Sequence, residues 1–131
     1  MKRIICSLLI IAIVLMAGCL VACTGKEGEV VIKIDKGYDL SKGDTLVDYM
    51  EYLDEKERLD YELENGMITE INDLENGLNS YWMLYTDDPN FSNDAWGTYE
   101  YKGKTYGSAT LGACSLKINK EYTYIWVYQT F

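Results

Sequence analysis

Residues 44–71 read DTLVDYMEYLDEKERLDYELENGMITEI, and the spacing of the apolar residues changes part-way along this stretch. In its first part the apolar residues recur at the period of an amphipathic helix. The apolar positions on that face are Leu46, Met50 and Leu53. Asp44 or Thr45 offers a side chain of the type that caps helices, and Asp48 lies where a variant of the capping box needs an acid. We therefore predict a helix that begins at this cap and ends near Arg58.

The second part of the same stretch alternates apolar and acidic residues and predicts a β-hairpin. The alternation runs from Leu59 to Glu64 and has the period of a half-buried strand. Asn65-Gly66 then precedes a second apolar run, residues 67–71. Asn-Gly between two such runs favours a tight hairpin, because both central residues of a type I′ turn need positive φ. A helix followed by a hairpin is typical of an α+β domain.

Other segments of the chain have the composition of strands, and polar stretches that contain glycine separate them. These segments are residues 29–34, 81–86, 98–101, 105–110 and 121–129. Lys102-Gly103 lies between the third and the fourth of them, where we expect a turn that pairs the two. The sequence shows no internal repeat and no linker that divides it. We predict a single small α+β domain over residues 29–131, with a mixed sheet of about five or six strands packed on one main helix.

The N-terminus predicts export. Lys2 and Arg3 precede an almost unbroken apolar run, residues 4–22, and this is the pattern of a secretory signal peptide. The end of the run, LVAC at residues 20–23, resembles the lipobox of bacterial lipoproteins, in which the cysteine is lipidated. We predict a signal peptide over residues 1–22 and lipidation of Cys23.

Lipidation at this point predicts a location as well as a modification. Residues 23–28 are then the lipidated cysteine and a polar tether, and the domain lies on the outer face of the cell membrane with membrane lipid as a partner. Cys19 is a second candidate for lipidation, and an uncleaved membrane helix is the alternative to a signal peptide. Only Cys114 then remains in the folded part, and its apolar neighbours predict a buried, unreactive thiol.

The chain has a net charge of −9 and no histidine, and these two facts exclude several functions. Phosphate backbones repel an acidic chain, so we predict no nucleic-acid partner. Without histidine the chain lacks Ser-His-Asp and Cys-His nucleophile arrangements and histidine-ligated zinc. No pair of carboxylates is singled out by its spacing as an acid–base pair, and we predict that the protein is not an enzyme.

Aromatic residues are the first candidate for a binding site. The sequence contains 12 Tyr, 3 Trp and 2 Phe, more than a core of this size needs, so some of them are expected at the surface for recognition. The predicted ligand-binding residues are Tyr81, Trp82, Tyr85, Trp96, Tyr99 and Tyr106. The alternative is that these aromatics are core, with the aliphatic face of the last strand on the helix and its aromatic face covered by residues 87–116.

An acidic loop at residues 87–94 is the second candidate. Oxygen ligands at alternating positions are what a calcium loop requires. The predicted metal ligands are Asp87, Asp88, Asn90 and Asp94. The alternative is a solvated turn whose side chains hydrogen-bond to their own backbone.

Several segments together resemble a known family. Gly43 to Met50, the run 66–71, the strand 81–85 and the aromatic last strand 124–128 resemble transcobalamin-like C-terminal domains, which include bacterial lipoproteins grouped as a domain of unknown function of the DUF4430 type. The resemblance covers residues 29–131. It implies a β-grasp-like fold, with a sheet curled round one helix, and ligand binding rather than catalysis, since the related domain of transcobalamin covers one face of a corrinoid.

We therefore predict a membrane-anchored lipoprotein that binds a soluble ligand through an aromatic surface. The first ligand class to consider is a corrinoid such as cobalamin, or a similar planar cofactor. One alternative is a structural or adhesive module of the cell envelope that binds a protein or a polysaccharide. Another is a calcium-binding protein that uses the acidic loop.

Overall fold

A computed structural model describes residues 27–41 and 43–131 of the chain. The predicted signal peptide, residues 1–22, and the predicted lipidation site, Cys23, lie outside the described residues, as does most of the predicted tether. Within the described residues, no helix has the length and apolar character that crossing a membrane requires.

The described residues form strands and one helix in a single small domain. In chain order the strands are β1 (Glu29–Lys33), β2 (Tyr61–Glu64), β3 (Met67–Ile71), β4 (Leu74–Glu75), β5 (Ser80–Thr86), β6 (Ser92–Tyr101), β7 (Lys104–Ala109) and β8 (Thr123–Thr130), and the helix is α1 (Leu46–Glu55). The prediction of an α+β domain with one main helix is confirmed. The strands form two sheets where the sequence predicted one, and the described strand pairs are antiparallel.

The helix begins where its capping residues predict. The Asp48 carboxylate accepts hydrogen bonds from the backbone N–H of Thr45 at 2.9 Å and from its hydroxyl at 3.0 Å. The face that α1 buries contains the three predicted residues and one that was missed: Leu46, Tyr49, Met50 and Leu53. The helix ends at Glu55, three residues before the predicted end at Arg58, because Glu57 adopts a positive φ of 58° that an α-helix excludes.

Tight turns join the hairpins as the sequence predicts. Asn65 and Gly66, between β2 and β3, have φ angles of 52° and 81°. Lys102 and Gly103, between β6 and β7, have φ angles of 50° and 79°. Both turns therefore have the positive φ at both central residues that a type I′ turn requires.

The larger sheet has the strand order β1-β8-β5-β7-β6, and each of its faces carries a cluster of buried side chains. One face, which includes Trp82, Tyr124 and Trp126, packs with α1 in the main core. The other face carries a second cluster that includes Ile125 and Val127 of β8. The alternative in which the aliphatic face of β8 meets the helix is therefore wrong in its orientation, because the aromatic face packs with α1. Large aromatic side chains bury more area per residue than short aliphatic ones, so this face contributes strongly to the main core.

The larger sheet curls toward the face opposite α1. In a flat sheet its two edge strands are about 19 Å apart, since neighbouring strands are separated by about 4.8 Å. Yet the hydroxyl of Tyr99, on edge strand β6, donates a hydrogen bond to the carboxylate of Glu29, on edge strand β1. This contact closes the sheet over Tyr85, whose ring centroid lies 5.6 Å from that of Tyr99.

Candidate functional site

A groove opens where β7 separates from β5. Strand β5 pairs with β8 from Ser80 to Thr86, but it pairs with β7 only at Tyr85 and Thr86. Past Ser108 the chain no longer follows the β5 register, and the gap between β5 and residues 109–113 is the groove. The start of β3 closes its third side.

The groove has a volume of about 400 Å³, and all three tryptophans of the chain line it. We call it the tryptophan groove, and define it by residues 66–68, 82–84 and 108–113 together with Trp96 and Trp126. Trp82 and Trp126 form its floor, since both are buried, whereas Trp96 is 75% exposed and stands at its rim. Flat aromatic faces placed in this way suit the stacking of a planar ligand.

A bulge in β6 places Trp96 at the groove. The register of β6 against β7 shifts between Asn93 and Thr98, so residues 94–97 lie outside the ladder. Gly97, with a φ of 94°, allows the strand to return to the ladder, since a positive φ is strained for other residues. Bulges of this kind redirect side chains, and this one turns Trp96 out of the sheet.

Two residues of β7 hold the bulge in place. The Ser108 hydroxyl donates to the backbone oxygen of Asn93 at 3.0 Å and accepts from the backbone N–H of Trp96 at 3.2 Å. At Gly107, an added Cβ would lie 2.8 Å from the same Asn93 oxygen, so the close approach of the two strands requires glycine. The position of Trp96 at the rim therefore depends on the buried hydroxyl of Ser108 and on the absence of a side chain at Gly107.

The two buried tryptophans of the floor differ in their hydrogen bonding. The Trp82 Nε1–H donates to the backbone oxygen of Leu74 at 2.7 Å. The Trp126 Nε1–H is buried and has no hydrogen-bond partner within the described part of the chain. A buried donor without a partner costs free energy, because water no longer hydrates it.

The residues that line the groove are mostly apolar, and all of them are uncharged. Met67 is 63% exposed and Leu111 is 42% exposed, which is unusual for side chains of this kind on either side of one opening. No acidic or basic residue lies among the described residues that line it. The groove therefore selects against ions and favours an uncharged or apolar ligand surface, although the whole chain is acidic.

The structure brings only part of the predicted aromatic surface together. Trp82 and Trp96 share the tryptophan groove. Tyr81 is 42% exposed and lies apart, with its ring 6.1 Å from that of Phe131. The other predicted ligand-binding residues belong to the second cluster on the opposite face of the sheet, and they are Tyr85, Tyr99 and Tyr106.

The tyrosines of the second cluster behave as structural residues. The Tyr85 hydroxyl donates to Gln129 Oε1 at 2.6 Å, and burial raises the pKa of Tyr85. Burial and the hydrogen bond to Glu29 raise the pKa of Tyr99 to about 12. These hydroxyls therefore stay protonated and bonded inside the protein at neutral pH.

Other members of the groove were not predicted from the sequence. Trp126 was recognised as part of the aromatic last strand but was not assigned to the site, and Met67 and Leu111 were not considered. The Asn65-Gly66 turn gave one available signal, because an apolar residue directly after a tight turn is commonly exposed. The separation of β7 from β5 has no signal in the sequence, since it depends on contacts between distant parts of the chain.

Two carboxylates of the acidic loop, those of Asp87 and Asp88, make hydrogen bonds within the protein. Asp87 pairs with Lys104 Nζ at 2.6 Å and accepts from the backbone N–H of Thr123 at 2.8 Å. Asp88 is buried and accepts from the backbone N–H of Asn90 at 2.9 Å, as an Asx turn requires. Asp94 is exposed in the β6 bulge. In the described ranges, no three His, Cys, Asp or Glu residues are grouped as a metal site requires, and the calcium interpretation stays a prediction.

The position of Cys114 contradicts the prediction of a buried thiol. Its thiol is exposed rather than buried, and it donates a weak hydrogen bond to the backbone oxygen of Gly66 at 3.7 Å. The apolar neighbours of Cys114 in the sequence suggested burial, but the segment after β7 is a turn. This turn buries Ala113 and Leu116 and leaves Cys114 exposed. Since Gly66 lines the groove, the thiol lies next to it.

Part of the chain matches a known family model. Residues 43–104 match the model of a domain of unknown function (DUF4430). The resemblance to that family is thus confirmed over this stretch, which runs from the cap of α1 to the start of β7 and includes Trp82 and Trp96. No curated protein and no solved structure gives a significant match to the chain.

Proposed function

We propose that this protein is a ligand-binding lipoprotein, held by a lipidated Cys23 on the outer face of the cell membrane, and that the tryptophan groove is its binding site. The observation that carries this proposal is that all three tryptophans line one uncharged groove. A core needs buried aromatics, but it does not need Trp96 at 75% exposure on a bulge held by its own hydrogen bonds.

A planar, largely apolar ligand suits this groove best. Its volume of about 400 Å³ encloses a bicyclic ring system, and for a larger ligand it takes one edge or one face. Corrinoids and similar planar cofactors are the first class to test, because the family resemblance suggests contact with one face of such a ligand. A β-grasp-like assignment of the fold is part of this proposal, supported by one helix packed on a sheet whose first and last strands are neighbours.

Equilibrium dialysis of the full chain against dicyanocobinamide, a corrinoid whose two cyanides neutralise the charge of the cobalt corrin, tests the proposal directly. The corrin absorbs visible light, so bound and free ligand are measured without relying on tryptophan emission. We expect saturable binding in the wild type. Replacing Trp96→Ala removes the exposed stacking face and is expected to weaken binding by about 1–3 kcal/mol.

Tyr81→Ala is the matched control for this experiment. Tyr81 is also an exposed aromatic residue on the larger sheet, but it lies outside the groove. We expect its loss to leave the affinity unchanged. Equal weakening by both substitutions would place the ligand elsewhere on the surface, and no binding by the wild type would remove corrinoids from the proposal.

Failure with corrinoids directs attention to the two other functions that the sequence suggests. A rise in melting temperature with calcium alone would favour the acidic loop, because a ligand that binds the native state stabilises it. Retardation of the protein in a gel that contains polysaccharide would favour a structural module of the envelope.

A further inference from the structure

The unpaired indole N–H of Trp126 adds a chemical requirement to the groove. Every lining residue is uncharged, and the Trp82 indole already donates to Leu74. The Ser108 hydroxyl is committed to the β6 bulge on both sides, as a donor to Asn93 and as an acceptor from Trp96. Trp126 Nε1–H is thus a buried donor of a groove-lining residue that the described residues leave without a partner.

We infer that the ligand of the tryptophan groove carries an uncharged hydrogen-bond acceptor, a carbonyl or ether oxygen on a planar apolar body, which pairs with Trp126 Nε1–H. This inference rests on the proposed function, since it specifies the ligand of the same groove. An uncharged acceptor fits because the indole donor is neutral and no ionic partner lies in the walls. An anion would lose its hydration without gaining a counter-charge.

The unpaired donor also explains how binding is favoured. Trp126 is 5% exposed, so its N–H gains little from water in the free protein. An acceptor that enters the groove therefore forms a bond without first breaking another one on the protein side. Because the nitrogen is covered, the ligand must move a side chain, and Met67, unbranched and 63% exposed, lets the wall adapt.

A pair of isosteric probes tests the inference. The probes are 2-acetylnaphthalene and 2-isopropenylnaphthalene, which differ in replacing a carbonyl oxygen by a methylene group. Without a donor, an apolar groove prefers the hydrocarbon, because the ketone loses hydration. In the wild type we expect the ketone to bind at least as tightly as the alkene, with binding followed by the emission of the tryptophans that line the groove.

The Trp126→Phe variant is expected to shift the ratio of the two dissociation constants about tenfold in favour of the alkene. Trp82→Phe is the matched control, since it also removes a buried indole from the floor but one whose N–H is already paired. We expect it to leave the ratio unchanged. The full chain is studied in detergent micelles, and partition of each probe into the micelles is the same for all variants and cancels.

The outcomes separate this inference from the proposed function. Binding of both probes with the same ratio in the wild type and in Trp126→Phe would overturn the acceptor requirement and leave the groove as a binding site. Binding of neither probe to the wild type would overturn both, because the groove then takes no planar apolar ligand.

A spectroscopic measurement on the wild type makes the test independent of how Trp126→Phe folds. The indole N–H groups of the three tryptophans give separate nitrogen–proton NMR signals, and Trp82→Phe and Trp96→Phe assign them by elimination. We expect the Trp126 signal to move downfield with the ketone and not with the alkene. An unmoved signal at saturation with the ketone overturns the inference.

Discussion

Single hydrogen bonds distinguish the two buried tryptophans of the groove. Trp82 and Trp126 are exposed to similar extents, 7% and 5%, and they share the groove floor. The Trp82 indole is bonded to Leu74, whereas the Trp126 indole has no partner in the part of the chain that the structure describes. Two residues of one type at neighbouring sites thus stabilise the fold to different extents, and sequence alone does not reveal which is which.

This difference predicts unequal costs for the same substitution. Both Trp→Phe changes remove a similar volume from the core, but Trp82→Phe also leaves the Leu74 carbonyl without its donor. Trp126→Phe instead removes a donor that was unpaired. We expect Trp82→Phe to lower the free energy of unfolding by about 1 kcal/mol more than Trp126→Phe does. Chemical denaturation followed by circular dichroism measures this, and equal costs would mean that the Trp126 N–H is bonded in solution.

Elements whose sequence signals lie within a few residues of one another could be predicted correctly. The capping acid Asp48, the Asn65-Gly66 turn and the Lys102-Gly103 turn act within a few residues, and all three were found as predicted. The division into two sheets, the β6 bulge and the groove depend on which distant strands meet. The spacing of hydrophobic residues does not encode which distant strands pair. Two of the three groove tryptophans, Trp82 and Trp96, were therefore predicted as site residues, whereas Trp126 and the wall residues Met67 and Leu111 were not.

The β6 bulge depends on a glycine in the neighbouring strand. Gly107→Ala is expected to destabilise the protein by about 1–3 kcal/mol, because the added Cβ would meet the Asn93 backbone oxygen at 2.8 Å. Gly37→Ala is the control, since its Cβ would meet nothing within 4 Å and its φ is not positive. Thermal unfolding compares the two variants. A Gly107→Ala protein as stable as Gly37→Ala would show that β6 and β7 are further apart than described.

At the scale of the whole molecule, buried and partly buried tyrosines belong to the packed clusters on both faces of the larger sheet. Tyr49 and Tyr124 lie in the main core beside α1, and Tyr85 and Tyr99 lie in the second cluster. Their hydroxyls are hydrogen-bonded, Tyr124 to the backbone N–H of Asn119 at 2.9 Å. The stability of the fold therefore depends on these phenol groups staying neutral, so we expect it to fall at high pH.

Raised tyrosine pKa values predict a loss of stability in alkali. Burial raises the pKa of Tyr124 from 10.0 to about 12, and burial raises that of Tyr85 as well. A group whose pKa is higher in the folded protein contributes stability that is complete below its unfolded pKa. That contribution is lost as pH rises toward the folded pKa. For Tyr124 the loss therefore falls between pH 10.0 and about 12.

Urea midpoints measured at steps from pH 9 to 11.5 check this expectation, with tyrosinate absorbance as a parallel readout. Lysines also titrate in this range, so the variant Tyr124→Phe isolates the contribution of one phenol. We expect the variant to be less stable than the wild type at pH 9, because it lacks the bond to Asn119, and to lose stability less steeply above pH 10. Parallel curves for the two proteins would mean that Tyr124 ionises as readily when folded as when unfolded, which a ring with no exposed surface in the core does not allow.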